Sequence, residues 1–178
     1  MQSTRAAVSG GTYFFTVHLA ERGHTHLVDH VTELREVIRK VQRRRPFHID
    51  AMVVLPDHLH AVWTMPPRDA DHATRWMLIK AGFSRTVSAG GRTRRSQSSG
   101  RETSLWRRRY REHPIRDPHD YGHHVAYIHH NPVKHGYVPS AVDWPYSSFH
   151  RYVAAGILPA DWDGRPLHED GVGQGRRW

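Results

Sequence analysis

Cysteine is absent from the 178 residues. That excludes a disulfide framework, a thiolate metal site and a cysteine nucleophile, and it suits a reducing cytoplasm. Long apolar runs are missing too. None approaches the roughly 20 residues a membrane span needs, and Met1-Gln2-Ser3-Thr4-Arg5 lacks the apolar core of a secretory signal. Acidic residues are outnumbered: 17 Asp and Glu stand against 26 Lys and Arg, a net charge of +9. The excess favours polyanionic partners, nucleic acid first. Because 23 of the 26 basic residues are Arg, genomic base composition is a second source of the same charge. Hydrophobic residues make up 38%, enough for one domain with a genuine core but low enough that part of the chain is expected to be mobile.

Between these gaps the chain has a readable pattern. Gly11 to Leu19 is rich in aromatic and β-branched residues after a Gly-Gly turn and reads as a strand. Val28 to Arg45 carries Val31, Leu34, Val37, Ile38 and Val41 as a helical stripe, with Arg43-Arg44-Arg45 before Pro46 as its stop. Strands follow over Phe47 to Leu55 and His58 to Met65, joined at Pro56-Asp57, and a second helix spans Ala70 to Val87. The basic stretch 88–104 has the composition of a mobile loop. Leu105 to Ile115 reads as a returning strand, and Asp117-Pro118 as a helix start that should run to about His130, since Asn131 precedes a proline. The order β-α-β-β-α-β with a further helix is that of a ferredoxin-like α+β domain: a split βαβ, an antiparallel sheet, and both helices on one face. The expected domain is 1–152, with 153–178 a flexible C-terminal tail.

Four side chains suggest chemistry. On a strand, His58 and His60 point to one face while Leu59, Ala61 and Trp63 take the core, which leaves the imidazoles on the open face. Tyr127 and Asn131, four apart, share one face of a helix. Two imidazoles, an amide and a phenol can make a divalent-metal site with a tyrosine beside it, leaving positions open for phosphate oxygens. Singly, each has a plainer role: one of many histidines, a rim tyrosine, a helix-end cap. Tyr121 is a rival nucleophile, but it lies ten residues before Asn131, roughly 80° around the helix from it. His123, His124 and His130 lie within a turn of Tyr127 and could add a ligand, hydrogen-bond the phenol, or simply face solvent. Arg107, Arg108, Arg109 and Arg111, interleaved with Trp106 and Tyr110, suit phosphate contacts and base stacking, or else a charged edge strand.

Three blocks, Gly10-Gly11-Thr12-Tyr13-Phe14-Phe15-Thr16-Val17, Val54 to Trp63 and Tyr127 to Gly136, resemble the signature blocks of the REP-associated tyrosine transposases, bacterial relatives of the single-tyrosine HUH transposases. Glu112 to Asp117 and Asp143 to His150 add to the likeness, which spans about residues 10–152. The resemblance implies that His58 and His60 are metal ligands, Asn131 the third ligand and Tyr127 the nucleophile. It implies a ferredoxin-like domain that binds and nicks single-stranded DNA bearing extragenic palindromic hairpins, with Mg²⁺ or Mn²⁺. Cleavage would leave a 5′-phosphotyrosine and a free 3′-OH. Gly10, Gly11, Lys134 and the arginines Arg107, Arg108, Arg109 and Arg111 are the candidates for holding DNA. The expected setting is the bacterial cytoplasm, at the nucleoid, as a monomer or homodimer. The alternative is a domesticated hairpin-binding module without catalysis.

Overall fold

The computed structural model describes residues 9–90 and 104–165 of the chain. The stretch expected to be a mobile basic loop lies mostly outside these residues, as does the end of the tail beyond 165. Strand β1 (Thr12–His18) pairs antiparallel with β3 (His58–Thr64) on one side and with β4 (Arg111–Pro114) on the other, and β2 (His48–Val54) pairs with β3. The result is one antiparallel sheet of order β2-β3-β1-β4. The β2–β3 turn is tight: Leu55 N–H donates to the His58 carbonyl at 2.9 Å.

Alternation along β1 and β3 divides the molecule. Tyr13, Phe15 and Val17 of β1, with Leu59, Ala61 and Trp63 of β3, bury against α2 (Val31–Arg44) and α3 (His72–Gly90). The stripe of α2 buries Val31, Leu34, Ile38 and Val41 as its spacing dictates. A short turn of helix, α1 (His26–Asp29), precedes it, so the long helix starts at Val31 rather than Val28. Gly82 of α3 lets the two helices close: a Cβ there would sit 2.7 Å from Val37 Cγ1. Trp63 and Trp76 stack at 4.1 Å in the centre.

The opposite face carries α4 (Pro118–Lys134) and α5 (Phe149–Ala154), whose Val125, Ile128, Phe149 and Tyr152 pack on Ala51, Val53 and Val62. The face bearing His58 and His60 is therefore not open. The two residues retain only 7% and 4% exposure. Burial continues past α5, where Leu158 is 4% exposed and Trp162 lies against Phe149 at 5.8 Å.

Helix α4 starts as expected, with the Asp117 side chain accepting from Asp120 N–H at 2.8 Å and Pro118 in the first turn. It does not stop at His130. The helix runs through Asn131 and Pro132 to Lys134. Proline's bias on its predecessor is outweighed by a stop signal five residues on. Gly136 takes φ +72, its N–H donates to the Val133 carbonyl at 2.9 Å, and Tyr137 N–H donates to the Pro132 carbonyl at 3.0 Å. These two bonds form a Schellman cap. The extra turn puts Asn131, Lys134 and His135 on the same stripe as Tyr127.

The returning strand is also shorter than Leu105 to Ile115. Residues 105–107 bond across the end of β1, Ala20 N–H to the Leu105 carbonyl and Arg107 N–H to the His18 carbonyl, and regular pairing resumes only at Arg111. No described helix is long and apolar enough to cross a membrane.

Candidate active site

Register brings the site together. His58 faces His18 across the β1–β3 pair, and His60 faces Thr16. The rings of His18 and His58 stack at 5.0 Å, and those of His58 and His60 meet edge-on at 5.1 Å. From α4, the Tyr127 ring stands 5.2 Å from His60, while His135, eight residues on, stands 5.3 Å from His58. Asn131 lies one helical turn after Tyr127 and one before His135, and is fully buried. Lys134 Nζ lies 4.9 Å over the Tyr127 ring. Tyr127 itself is 38% exposed, accessible to a substrate as the buried His58, His60 and Asn131 are not.

Each imidazole has one nitrogen fixed by the protein. Asp57 Oδ1 lies 2.7 Å from His58 Nδ1, and Thr16 Oγ1 lies 2.9 Å from His60 Nδ1. Carboxylate and hydroxyl partners of this kind fix the orientation of metal-bound imidazoles. Burial pushes the Asp57 carboxyl up, but the hydrogen bond and charge of His58 outweigh it and hold the group below its usual range. Among the described residues, His60 Nε2 and both amide atoms of Asn131 are buried without a hydrogen-bond partner. Leaving such groups unpaired costs about 1–3 kcal/mol each. Two imidazoles and a neutral amide oxygen, with unpaired atoms at two of the three, fit a divalent cation.

Burial, reinforced by His58 and His18, lowers the His60 pKa to about 3. Burial does the same to His129, also to about 3, on the far side of α4 where its Nε2 meets Ser148 Oγ at 2.9 Å. Both rings are neutral in the fold, whereas the unfolded chain takes up protons below about pH 6.5. The unfolded state thus binds more protons as pH falls, and stability is lost from pH 6.5 downward towards the folded values. Each ring contributes a slope of up to about 1.4 kcal/mol per pH unit. Urea midpoints at pH 7, 6 and 5 should fall steadily, above the range where carboxylates titrate; a flat profile would refute the assignment of neutral buried rings.

A cleft of about 760 Å³ opens over these groups, with His58, His60, Tyr127 and His135 as its floor and Arg22, Arg107, Arg109 and Arg111 along its wall. A neighbouring cleft of about 540 Å³ shares Thr16, Arg111 and Tyr127 with it, so the tyrosine stands between the two. Arg108 lines a separate groove on α3. Gly10 and Gly11 sit at the far end of β1 from His18, about 20 Å along the strand, where Gly10 N–H donates to the Asp69 carbonyl at 2.9 Å. The structure does not bring them to the histidines. Trp106 is no stacking surface: it is 4% exposed, packs on Phe83 at 5.6 Å and donates its indole N–H to the Lys80 carbonyl. Tyr121 is turned away from the cleft toward Asp50 Oδ1 at 3.5 Å; burial first, then Tyr152 and Asp50, push its pKa upward.

Comparison with known proteins then places the chain. No family model matches it. It is 45% identical over 160 residues to the REP-associated tyrosine transposase of Escherichia coli (strain K12), covering 90% of this chain and 89% of that protein. The chain belongs to the REP-associated tyrosine transposases. A Haemophilus influenzae protein (strain ATCC 51907 / DSM 11121 / KW20 / Rd), provisionally given the same family name, is 42% identical over 163 residues, 91% of this chain and 93% of its own. A REP-associated tyrosine transposase solved bound to a REP hairpin superposes with a TM-score of 0.81 at 43% identity, over 100% of this chain and 98% of that one. The four-stranded antiparallel sheet and its helices are thus the architecture of this transposase family.

Sequence reasoning missed Asp57, Thr16, His18 and His135. Asp57 is adjacent to His58 and could have been found from the Asp-His pair alone. Thr16 and His18 become visible only through strand register, and His135 only once α4 is known to pass Pro132.

Proposed function

We propose that the chain is a divalent-metal-dependent single-stranded DNA endonuclease and strand transferase that recognises palindromic hairpin DNA. The observation that carries this reading is Tyr127, exposed at a basic cleft with its ring 5.2 Å from a buried His60 whose Nε2 has no partner among the described residues. The strand order β2-β3-β1-β4 supports a ferredoxin-like frame, to which α4 adds the tyrosine. The hairpin-bound relative supports the same class of DNA as partner.

His58, His60 and Asn131 would hold Mg²⁺ or Mn²⁺, which when bound would neutralise charge developing on the scissile phosphate. Arg107, Arg109 and Arg111 bind backbone phosphates on one wall of the cleft and hold the strand over Tyr127. The phenol oxygen attacks phosphorus, forming a phosphotyrosine bond as the bond to the 3′ oxygen breaks. The phenolic proton is given up and the departing 3′ oxygen is protonated. A free phenol titrates near pH 10 and is a weak nucleophile at neutral pH, so its attack needs the field of a bound cation or a nearby base. The covalent ester conserves the phosphodiester for rejoining, so no nucleotide cofactor is consumed.

The test is denaturing electrophoresis after mixing the protein with 5′- or 3′-labelled single-stranded hairpin DNA, in Mn²⁺ or in EDTA. The expected product is a protein adduct carrying only the DNA 3′ of the cut, formed in Mn²⁺ and absent in EDTA. Cleavage without an adduct would replace transesterification with hydrolysis. Hairpin binding with neither would leave a DNA-binding module.

A further inference from the structure

On the side of Tyr127 away from His58 and His60, edge strand β4 meets the first turns of α4 at three side chains. His113 Nε2 lies 2.8 Å from Asp120 Oδ2, and His124 Nδ1 lies 3.1 Å from Asp120 Oδ1. One donor atom from each falls within 4.8 Å of the others. The two rings stack at 4.8 Å and 20°, and the three side chains, His113, Asp120 and His124, are shielded to 29%, 10% and 23% exposure. We propose that His113, Asp120 and His124 form a second divalent-metal site, one that takes a zinc-class ion.

The donor set chooses the ion. Two imidazole nitrogens and one carboxylate oxygen suit Zn²⁺ and its neighbours Co²⁺ and Ni²⁺, whereas Mg²⁺ and Ca²⁺ favour all-oxygen sites. The geometry supplies ligands from two elements: Asp120 and His124 one turn apart on α4, and His113 from β4. Around the carboxylate, Arg116 N–H donates to Oδ2 at 3.1 Å and Arg116 Nε approaches it at 3.4 Å, an outer shell that fixes its direction. His124 Nδ1 also lies 2.8 Å from the Asp120 carbonyl oxygen, a contact the ion would replace.

Three protein ligands leave a position open, and the 540 Å³ cleft beside it is lined by His113, His124 and Tyr127. An ion here would tie β4, which pairs only with β1 among the described strands, to the helix that carries Tyr127. Phe14 would transmit the constraint, since it lies 4.5 Å from His124 and 5.9 Å from Tyr127. The proposal does not depend on the roles assigned to His58, His60 or Asn131.

Co²⁺ serves as the probe, read by visible absorption and equilibrium dialysis of the full chain carrying His58→Ala and His60→Ala. One Co²⁺ per chain is expected, with affinity weakened at least tenfold by His113→Gln or by His124→Gln. His119 and His123, whose Nε2 atoms lie 3.2 Å apart, form the rival pair, and His123→Gln should change nothing. Absence of stoichiometric binding would overturn the proposal. So would binding that survives His113→Gln but is lost with His123→Gln. Should the double variant fail to fold by circular dichroism, the glutamine variants are made in the wild-type chain. There each of His113→Gln and His124→Gln must remove one Co²⁺ equivalent, and no loss would refute the site.

Discussion

Tyr127→Phe is expected to abolish the covalent DNA adduct and lower the nicking rate at least about 10⁴-fold, the scale on which loss of a nucleophile acts. Hairpin affinity should stay within about threefold, because the substitution removes one oxygen and leaves the arginine wall intact. Stability should move by less than about 1 kcal/mol, since the side chain is 38% exposed and its ring packing on Phe14 and His60 is retained. Single-turnover cleavage, filter binding and urea unfolding on the same preparation separate the three quantities. Residual adduct at wild-type rates would transfer the nucleophile to another residue. Tyr121 could not take the role without leaving its half-buried place beside Asp50.

His60→Ala is expected to weaken Mn²⁺ binding by about 100-fold or more, since even residues supporting a ligand shift metal affinity 10- to 100-fold. Free Mn²⁺ measured by electron paramagnetic resonance reports this without any DNA. Cleavage should fall with it, while excess Mn²⁺ restores only part. The variant has a second, metal-free signature. A ring held neutral by burial destabilises the fold in acid, so removing it should relieve part of the pH-dependent loss between 6.5 and 5, leaving the shares of His129 and of His18, whose pKa burial first and then His58 lower to about 4. Unchanged Mn²⁺ affinity together with a reduced acid slope would mean that His60 is a buried neutral ring that holds no ion.

Much of this is legible in the chain because the signals are local. Alternation places His58 and His60 opposite Leu59 and Trp63, and Asp117-Pro118 marks the start of α4 through capping alone. The long-range features are not legible. That α4 buries His58 and His60 follows from Val125 and Ile128 meeting Val53 and Val62, a packing choice that no window of sequence contains. Trp106 and Tyr110 sit in an arginine-rich run that looks like a stacking surface, yet Trp106 completes the α3 side of the core. The end of α4 differs from its sequence reading because two local rules conflict there. A proline argues for stopping before 132 and a glycine for stopping at 136, and the cap that each can complete decides between them.

Because α4 passes Pro132 without a break, the phenol of Tyr127, the amide of Asn131 and the ammonium of Lys134 are carried on one rod. Their mutual spacing is inherited from helical pitch, about 5.4 Å per turn, and no loop between them can adjust it. A single residue inserted between 127 and 131 would turn the amide by about 100° relative to the phenol while leaving every side chain present. The site therefore has no internal hinge. To release or exchange a tethered strand, either the DNA must swing about the ester or the whole rod must shift against the sheet.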